Sequence, residues 1–388
     1  MYSHPLVPPV LALNSTDRME LHFDDLDANV RNYSYTYELR NADWSPVMLN
    51  SLDYIKGFSQ SRLNTYRMSS VALTRYTHYQ AILPENNSVP SRSGNYLLKV
   101  FADGDPSKVV FTRRFLVVEG RVEIAAQVQQ PFNAQYFRTH QKVQFSLNTS
   151  RLNLVNAMQQ VRVCILQNER WDNALIDIRP TFIKLGSLEY NTENTVFPGG
   201  REWRWLDLRS FRLQSDRVEK ANYQKQSTEI FVRTDIDRVG QRFVYYKDND
   251  GKFYIENLET VNPYWQGDYA KTHFRFMPPG NAPFADKDVY LFGELTNYGD
   301  DEHAKMTYNP DTGLYETSIF LKQGYYDYCY FTSPKDKFML SNENTEGNYL
   351  ETENNYTILV YYRPLGGRAD ELVGFTKMNS LGARGLGN

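Results

Sequence analysis

Apolar residues recur at every second position through much of the chain. In NYSYTYELR, Tyr33, Tyr35, Tyr37 and Leu39 alternate with polar residues, the period of a strand with one buried face. The same period runs through YLLKVF (Tyr96, Leu98, Val100), KVQFSL (Val143, Phe145, Leu147) and QVRVCIL (Val161, Val163, Ile165). Later runs, FVYYKD, KFYIEN, DVYLFG, LYETSIFL, YYDYCYF and YTILVYYR, carry the aromatic and β-branched residues that suit a pleated surface. Asp103-Gly104-Asp105-Pro106, Asn249-Asp250-Gly251 and Asn309-Pro310-Asp311-Thr312-Gly313 supply the turns. Helical period is confined to short turns near LNSLDYIKGF and DLRSFRLQS. The pattern predicts an all-β chain of tandem, mostly Ig-like or early-set sandwiches.

Strand runs that end in glycine or proline set the expected boundaries. An N-terminal sandwich covers 1–119 and closes at Glu119-Gly120; a middle β module covers 120–265. A C-terminal sandwich covers 266–364, with the proline-rich loop MPPGNAPFADKD ahead of its main strands, and a glycine-rich tail covers 365–388, expected to be partly extended or disordered. A length of 388 residues suits three such modules. With 43 basic against 46 acidic residues the net charge is −3, which argues against a general nucleic-acid backbone binder while leaving room for a local basic patch. A chain 41% hydrophobic and 14% aromatic is not disordered, and no run of about 18 apolar residues predicts a membrane-spanning helix. The opening MYSHPLVPPV has no basic and apolar leader pattern, which fits either a cytoplasmic chain or one whose export signal has been removed and replaced by a start Met.

Little in the chain promises chemistry. Cys164 and Cys329 lie far apart inside strand-like runs, as small packed side chains. The six histidines, His4, His22, His78, His140, His273 and His303, show no ligand spacing, and nucleophile-elbow and phosphate-loop motifs are absent. No catalytic residue, metal or cofactor is expected. DNDGKFYIEN offers Asp248, Asp250 and Glu256 as hard oxygen ligands, but at the wrong spacing for a calcium loop. It reads instead as a hairpin, FVYYK turning at Asp250-Gly251 into KFYI. In REWRWLDLRS an extended backbone places Trp203 and Trp205 on one face and Arg204 on the other. Two readings compete for them. They fill the middle module's core, or, with the loop Pro198, Gly199 and Gly200, they form a partner-binding surface, since Trp and Arg dominate interface energetics.

The third module, DVYLFGELTNYGDD followed by MTYNPDTGLYETSIFLKQGYYDYCYF, resembles the starch- and glycogen-binding early-set sandwich, with Tyr298 nearest to its sugar-stacking platform. A wider resemblance covers Leu21 to Pro364. YELRNADWSP, DYIKGFS, THYQAILP, SGNYLLKVFADGDP and TRRFLVVE occur in order in the first module. LQNERWDNA and VFPGGREWRWLDLRS follow, then MTYNP, LKQGYYDY and YETENNYTILVYYRP. As an ordered set they resemble the plug protein family of the bacterial type IX secretion system. The resemblance implies a non-enzymatic periplasmic protein that spans no membrane. It would bind the periplasmic mouth of the giant outer-membrane translocon β-barrel and seal its pore when the cargo shuttle is absent. A periplasmic or surface glycan-binding protein is the alternative.

Overall fold

The computed structural model describes residues 6–382; His4 and residues 383–388 of the expected tail lie outside them. The chain is nearly all β, 45% strand and 6% helix, arranged as sandwich modules. In the first sandwich, a five-stranded sheet runs in the order Val10–Ala12, Val109–Val118, Gly94–Ala102, Tyr33–Arg40 and Gln60–Arg62. It faces a three-stranded sheet of Met19–Asp25, Thr77–Leu83 and Thr65–Met68. The alternating tyrosines behave as their period predicts. Tyr33, Tyr35, Tyr37 and Leu39 join Tyr79, Tyr96, Leu98 and Val100 in one core.

In the second sandwich, Glu123–Gln129, His140–Asn148, Ser187–Tyr190 and Phe182–Lys184 form one sheet. The opposing sheet takes Val161–Gln167 together with Asn355–Tyr362 and Glu371–Asn379, from the far end of the chain. Val143, Phe145 and Leu147 meet Val161, Val163, Ile165, Ile358 and Val360 between them. The segment Glu371–Asn379, expected as tail, is thus a full strand, with Leu372 and Val373 fully buried.

The third sandwich forms between those two visits. Its larger sheet holds Val218–Tyr223, Thr228–Val232, Tyr269–Met277, Leu314–Lys322 and Thr307–Asn309. Its smaller sheet holds Arg204–Asp207, Gly324–Pro334, Phe253–Ile255 and Lys287–Phe292. The expected division at 265/266 therefore runs between paired strands, because Thr228–Val232 lies directly beside Tyr269–Met277. The reason is physical: strand periodicity marks which face is buried, and carries no record of which distant strand supplies the neighbour.

Other local expectations divide in the same way. LNSLDYIKGF does contain a turn of 3-10 helix, Ser51–Asp53, whereas DLRSFRLQS forms none. The hairpin expected about Asp250-Gly251 has only its second arm, Phe253–Ile255, which pairs with Gly324–Pro334. Residues 242–249 are irregular. Arg201 takes the carbonyls of Arg238 and Arg242, at 2.7 Å each, while Tyr246 donates to the Glu202 carbonyl at 3.2 Å.

All three sandwiches touch one another. Leu116 of the first meets Leu166, Leu359 and Leu372 of the second in an apolar seam, where Trp44 and Trp171 pack edge to face at 4.9 Å. This explains why VRVCILQ and YTILVYY are buried on both faces: the sheet they build lies between two cores. The first and third sandwiches meet through polar groups. Lys322 pairs with Asp24, which also accepts from the Tyr269 hydroxyl at 2.6 Å and lies 2.6 Å from His78 Nδ1. The backbone amides of Leu73 and Thr74 donate to the Asp268 carboxylate at 3.0 Å each. Among the described residues no helix is long and apolar enough to cross a membrane.

Candidate functional site

The segment singled out from sequence begins at a strand end. Val196–Pro198 pairs with His140–Asn148, placing Pro198 opposite His140. Pro198 is exposed, Gly199 is buried and Gly200 lies between. Gly199 is demanded by close approach, since a Cβ there would sit 2.0 Å from the Tyr349 carbonyl oxygen. Its amide donates to the Thr139 carbonyl at 2.8 Å, and its own carbonyl accepts from Asn354 Nδ2 at 2.8 Å. The loop is a fixed crossing between the second and third sandwiches.

The three following side chains have different fates. Trp203, 6% exposed, stacks on Phe292 at 6.0 Å in a cluster with Cys329 and Phe331. Its ring lies against Gly251, where a Cβ would come within 2.6 Å of it. Arg204, also 6% exposed, points to the other face. It donates from Nε and Nη2 to the two oxygens of Glu346 at 3.1 Å each, and from Nη1 to Asp235 at 2.8 Å. Arg238 adds a 2.5 Å bond to Glu346, and the Tyr328 and Tyr330 hydroxyls donate to Asp235 at 2.8 and 3.0 Å. Burial opposes the charge on Arg204, but Glu346 and Asp235 outweigh it and hold the guanidinium protonated.

A partner cannot reach Trp203 or Arg204 without opening the fold. The alternation placing both tryptophans on one face and Arg204 on the other holds. Trp205, half-buried, packs edge to face on Tyr246 at 5.2 Å. Of the six residues, Pro198 and Trp205 keep side chains within reach of solvent. Tyr298 lies against Phe292, with the Arg170 guanidinium 5.6 Å over its ring, so its ring is sequestered between modules.

Sequence reasoning missed the exposed aromatics beside Pro198. Phe132, Tyr136 and Phe137 are 69%, 40% and 46% exposed in the loop that leads into His140–Asn148. That loop is braced: the Phe132 amide donates to Glu193 at 3.1 Å, and the Lys142 ammonium sits 3.5 Å over the Phe132 ring. Tyr136 packs on His140 at 4.3 Å. Three aromatics in QPFNAQYFRTH were the available signal, without a period to say that they point outward.

Sequence reasoning named Asp248 and Asp250, as oxygen ligands at the wrong spacing for calcium, but missed the group of carboxyl side chains that they form with Glu202 and Asp327 behind the same crossing. Glu202, Asp248, Asp250 and Asp327 surround the turn 248–251, and burial is the chief cause raising the pKa of each. Glu202 and Asp327 are each pushed up to about 7 and Asp250 to about 6. Among the described residues no group of His, Cys, Asp and Glu is placed to hold a metal ion.

Known proteins place the chain. The family described as type 9 secretion system plug protein 1st domain matches residues 3–119, the extent of the first sandwich. No curated protein matches. A solved structure, a hypothetical protein from Parabacteroides merdae ATCC 43184, is similar at 32% identity and a TM-score of 0.92. The similarity covers 97% of this chain and 94% of that one, so all three sandwiches and the crossings between them recur there. Matched through its first sandwich, the chain belongs to the type IX secretion system plug protein family.

Proposed function

We propose that the protein is a non-enzymatic gate. It binds the periplasmic mouth of the giant outer-membrane β-barrel of the type IX secretion system and closes the pore when the cargo shuttle is absent. It works in the periplasm, held to the outer membrane through that barrel. The observation that carries this reading is the family match to the plug domain over residues 3–119. The architecture is compatible with the role. A plug has to cover a wide aqueous opening with a surface on the order of 1,000 Å² or more, and three sandwiches in mutual contact offer a broad, stiff face.

Partner binding needs anchors that reach the partner. Burial of Trp203 and Arg204 moves that role to the exposed Phe132, Tyr136 and Phe137 around Pro198, with Trp205 at the margin. Aromatic anchors inside a polar rim suit a contact that must also release.

The test is affinity purification of the tagged chain from native outer membranes. Recovery of one giant β-barrel is expected, reduced about tenfold or more by a Phe132→Ala/Phe137→Ala double variant that folds normally. Recovery of no barrel with the unaltered chain overturns the gate. An unreduced yield with the double variant overturns the surface alone.

A further inference from the structure

We propose that Glu202, Asp248, Asp250 and Asp327 form a proton-held clasp that fastens the turn 248–251 across the junction of the second and third sandwiches, and that the clasp loosens as protons leave it. Each carboxyl grips a different part of the junction. Asp248 accepts from the Trp203 amide at 2.5 Å and from the Asp250 amide at 2.9 Å. Asp327, on the strand Gly324–Pro334, accepts from the amides of Asn249 at 2.5 Å and Gly251 at 3.3 Å. Asp250 accepts from the side chain of Asn355, on the second sandwich's strand, at 2.5 Å. Glu202 accepts from the Glu353 amide at 3.2 Å, and its carboxyl also faces that of Asp248.

Charge balance is what demands the proton. Glu202 and Asp327 are fully buried, and Glu353 adds a further acid facing Glu202 and Asp250. The nearest cations are Lys252 and Lys377, which bear on Asp250 from a distance. Both are committed elsewhere, to Glu169 at 2.5 and 2.7 Å. The remaining titratable neighbours are phenols: Tyr245 near Glu202 and Asp248, Tyr246 near Asp248, and Tyr254 and Tyr325 near Asp327. Four anions with no cation among them are prohibitive in a low-dielectric site, so the set keeps protons.

Two buried oxygens, Glu202 Oε2 and Asp250 Oδ1, have no hydrogen-bond donor. A carboxylic acid O–H is the donor such a set lacks, and sharing protons among the four supplies it. They titrate as one coupled unit.

The sign follows from the raised values. The folded chain holds these protons more tightly than the unfolded chain, where carboxyls titrate near pH 4. The clasp's contribution is therefore complete below about pH 4 and is lost as pH rises through about 6 to 7. What loosens lies next to the proposed binding loop, since the backbones of Gly199 and Gly200 are tied to Asn354 and Thr352 beside Glu353.

The experiment is hydrogen exchange by mass spectrometry on the isolated full chain at about pH 5.5 and about pH 8, corrected for intrinsic exchange. Because no partner is present, its outcome is independent of the gate reading. Protection of 199–203 and 248–252 is expected to fall about tenfold or more toward the higher pH, against an unchanged first sandwich. Glu202→Gln, a permanent stand-in for the protonated acid, is expected to remove that fall; Asp250→Asn serves the same purpose if the first variant does not fold. Equal protection at both pH values overturns the clasp, as does a fall that persists undiminished in the amide variants. Restoration of protection by calcium at the higher pH also overturns it, in favour of a cation-held turn.

Discussion

The third sandwich is fastened at two polar seams that handle buried acids in opposite ways. Against the first sandwich, Asp24 is matched: Lys322, His78 and Tyr269 all reach it, and Asp24 and Lys322 are both nearly inaccessible to solvent. Against the second, Glu202, Asp248, Asp250 and Asp327 meet only amides and one another. Burial costs both sets, but the outcome differs. In the first seam His78 and Lys322 outweigh burial and hold the Asp24 carboxyl below its ordinary range. In the second, burial wins and the pKa values rise. Burial alone does not decide the protonation state of an acid; what faces it does.

The largest effect is expected where a matched charge loses its partner. Lys322→Ala leaves Asp24 buried with only His78 and the Tyr269 hydroxyl against it, and should cost about 3–5 kcal/mol in urea unfolding near neutral pH. Asp24→Asn combined with Lys322→Met should recover most of that loss, because a buried pair can be replaced by groups of similar volume at little net cost. A single variant within about 1 kcal/mol of the parent would mean that the seam is wet, and the contrast would collapse. The apolar seam supplies the reference. Leu359, fully buried between the first and second sandwiches, should cost about 3 kcal/mol as Leu359→Ala, with no pH dependence of its own.

Much of this architecture was legible in the sequence, and the limits are instructive. Alternation in YSYTYEL and KVQFSL identified one buried face, and that face is the core. It could not announce a second burial, so Cys164 and Leu166 gave no sign that the first sandwich covers them. DELVGFTKM stood in a glycine-rich tail, yet it completes a sheet whose other strands begin near residues 161 and 355. FVYYK had strand composition, but it pairs with no strand: the Tyr246 hydroxyl is spent on the Glu202 carbonyl, and Arg201 takes the carbonyl of Arg242 just ahead of it. The candidate site was half visible: Pro198 to Trp205 do mark a crossing between modules, while tryptophan and arginine at that spacing serve the core as readily as a surface. The acids of the clasp are scattered over some 125 positions, from Glu202 to Asp327, and only the fold gathers them.

The smallest effect tests the contrast most directly, because the two seams should respond to acid with opposite signs. His22 stacks on Tyr264 of the third sandwich at 4.0 Å and lies 3.0 Å from both His78 Nε2 and Glu20. Burial is the main reason its pKa falls below the ordinary imidazole value, with the Glu20 hydrogen bond opposing. A lowered imidazole favours the neutral ring in the fold, so its contribution is present above about pH 6.5 and is lost as pH falls through the folded value. Asp24 adds the same sign at lower pH, since a depressed carboxyl contributes above about pH 4 and loses that contribution on further acidification. Acidifying from about pH 7.5 to about pH 5.5 should therefore slow exchange at 248–251 while hastening it at 73–76, and His22→Gln should blunt only the second change. If both segments move together, the two seams are one cooperative unit, and the distinction between matched and unmatched acids has no mechanical consequence.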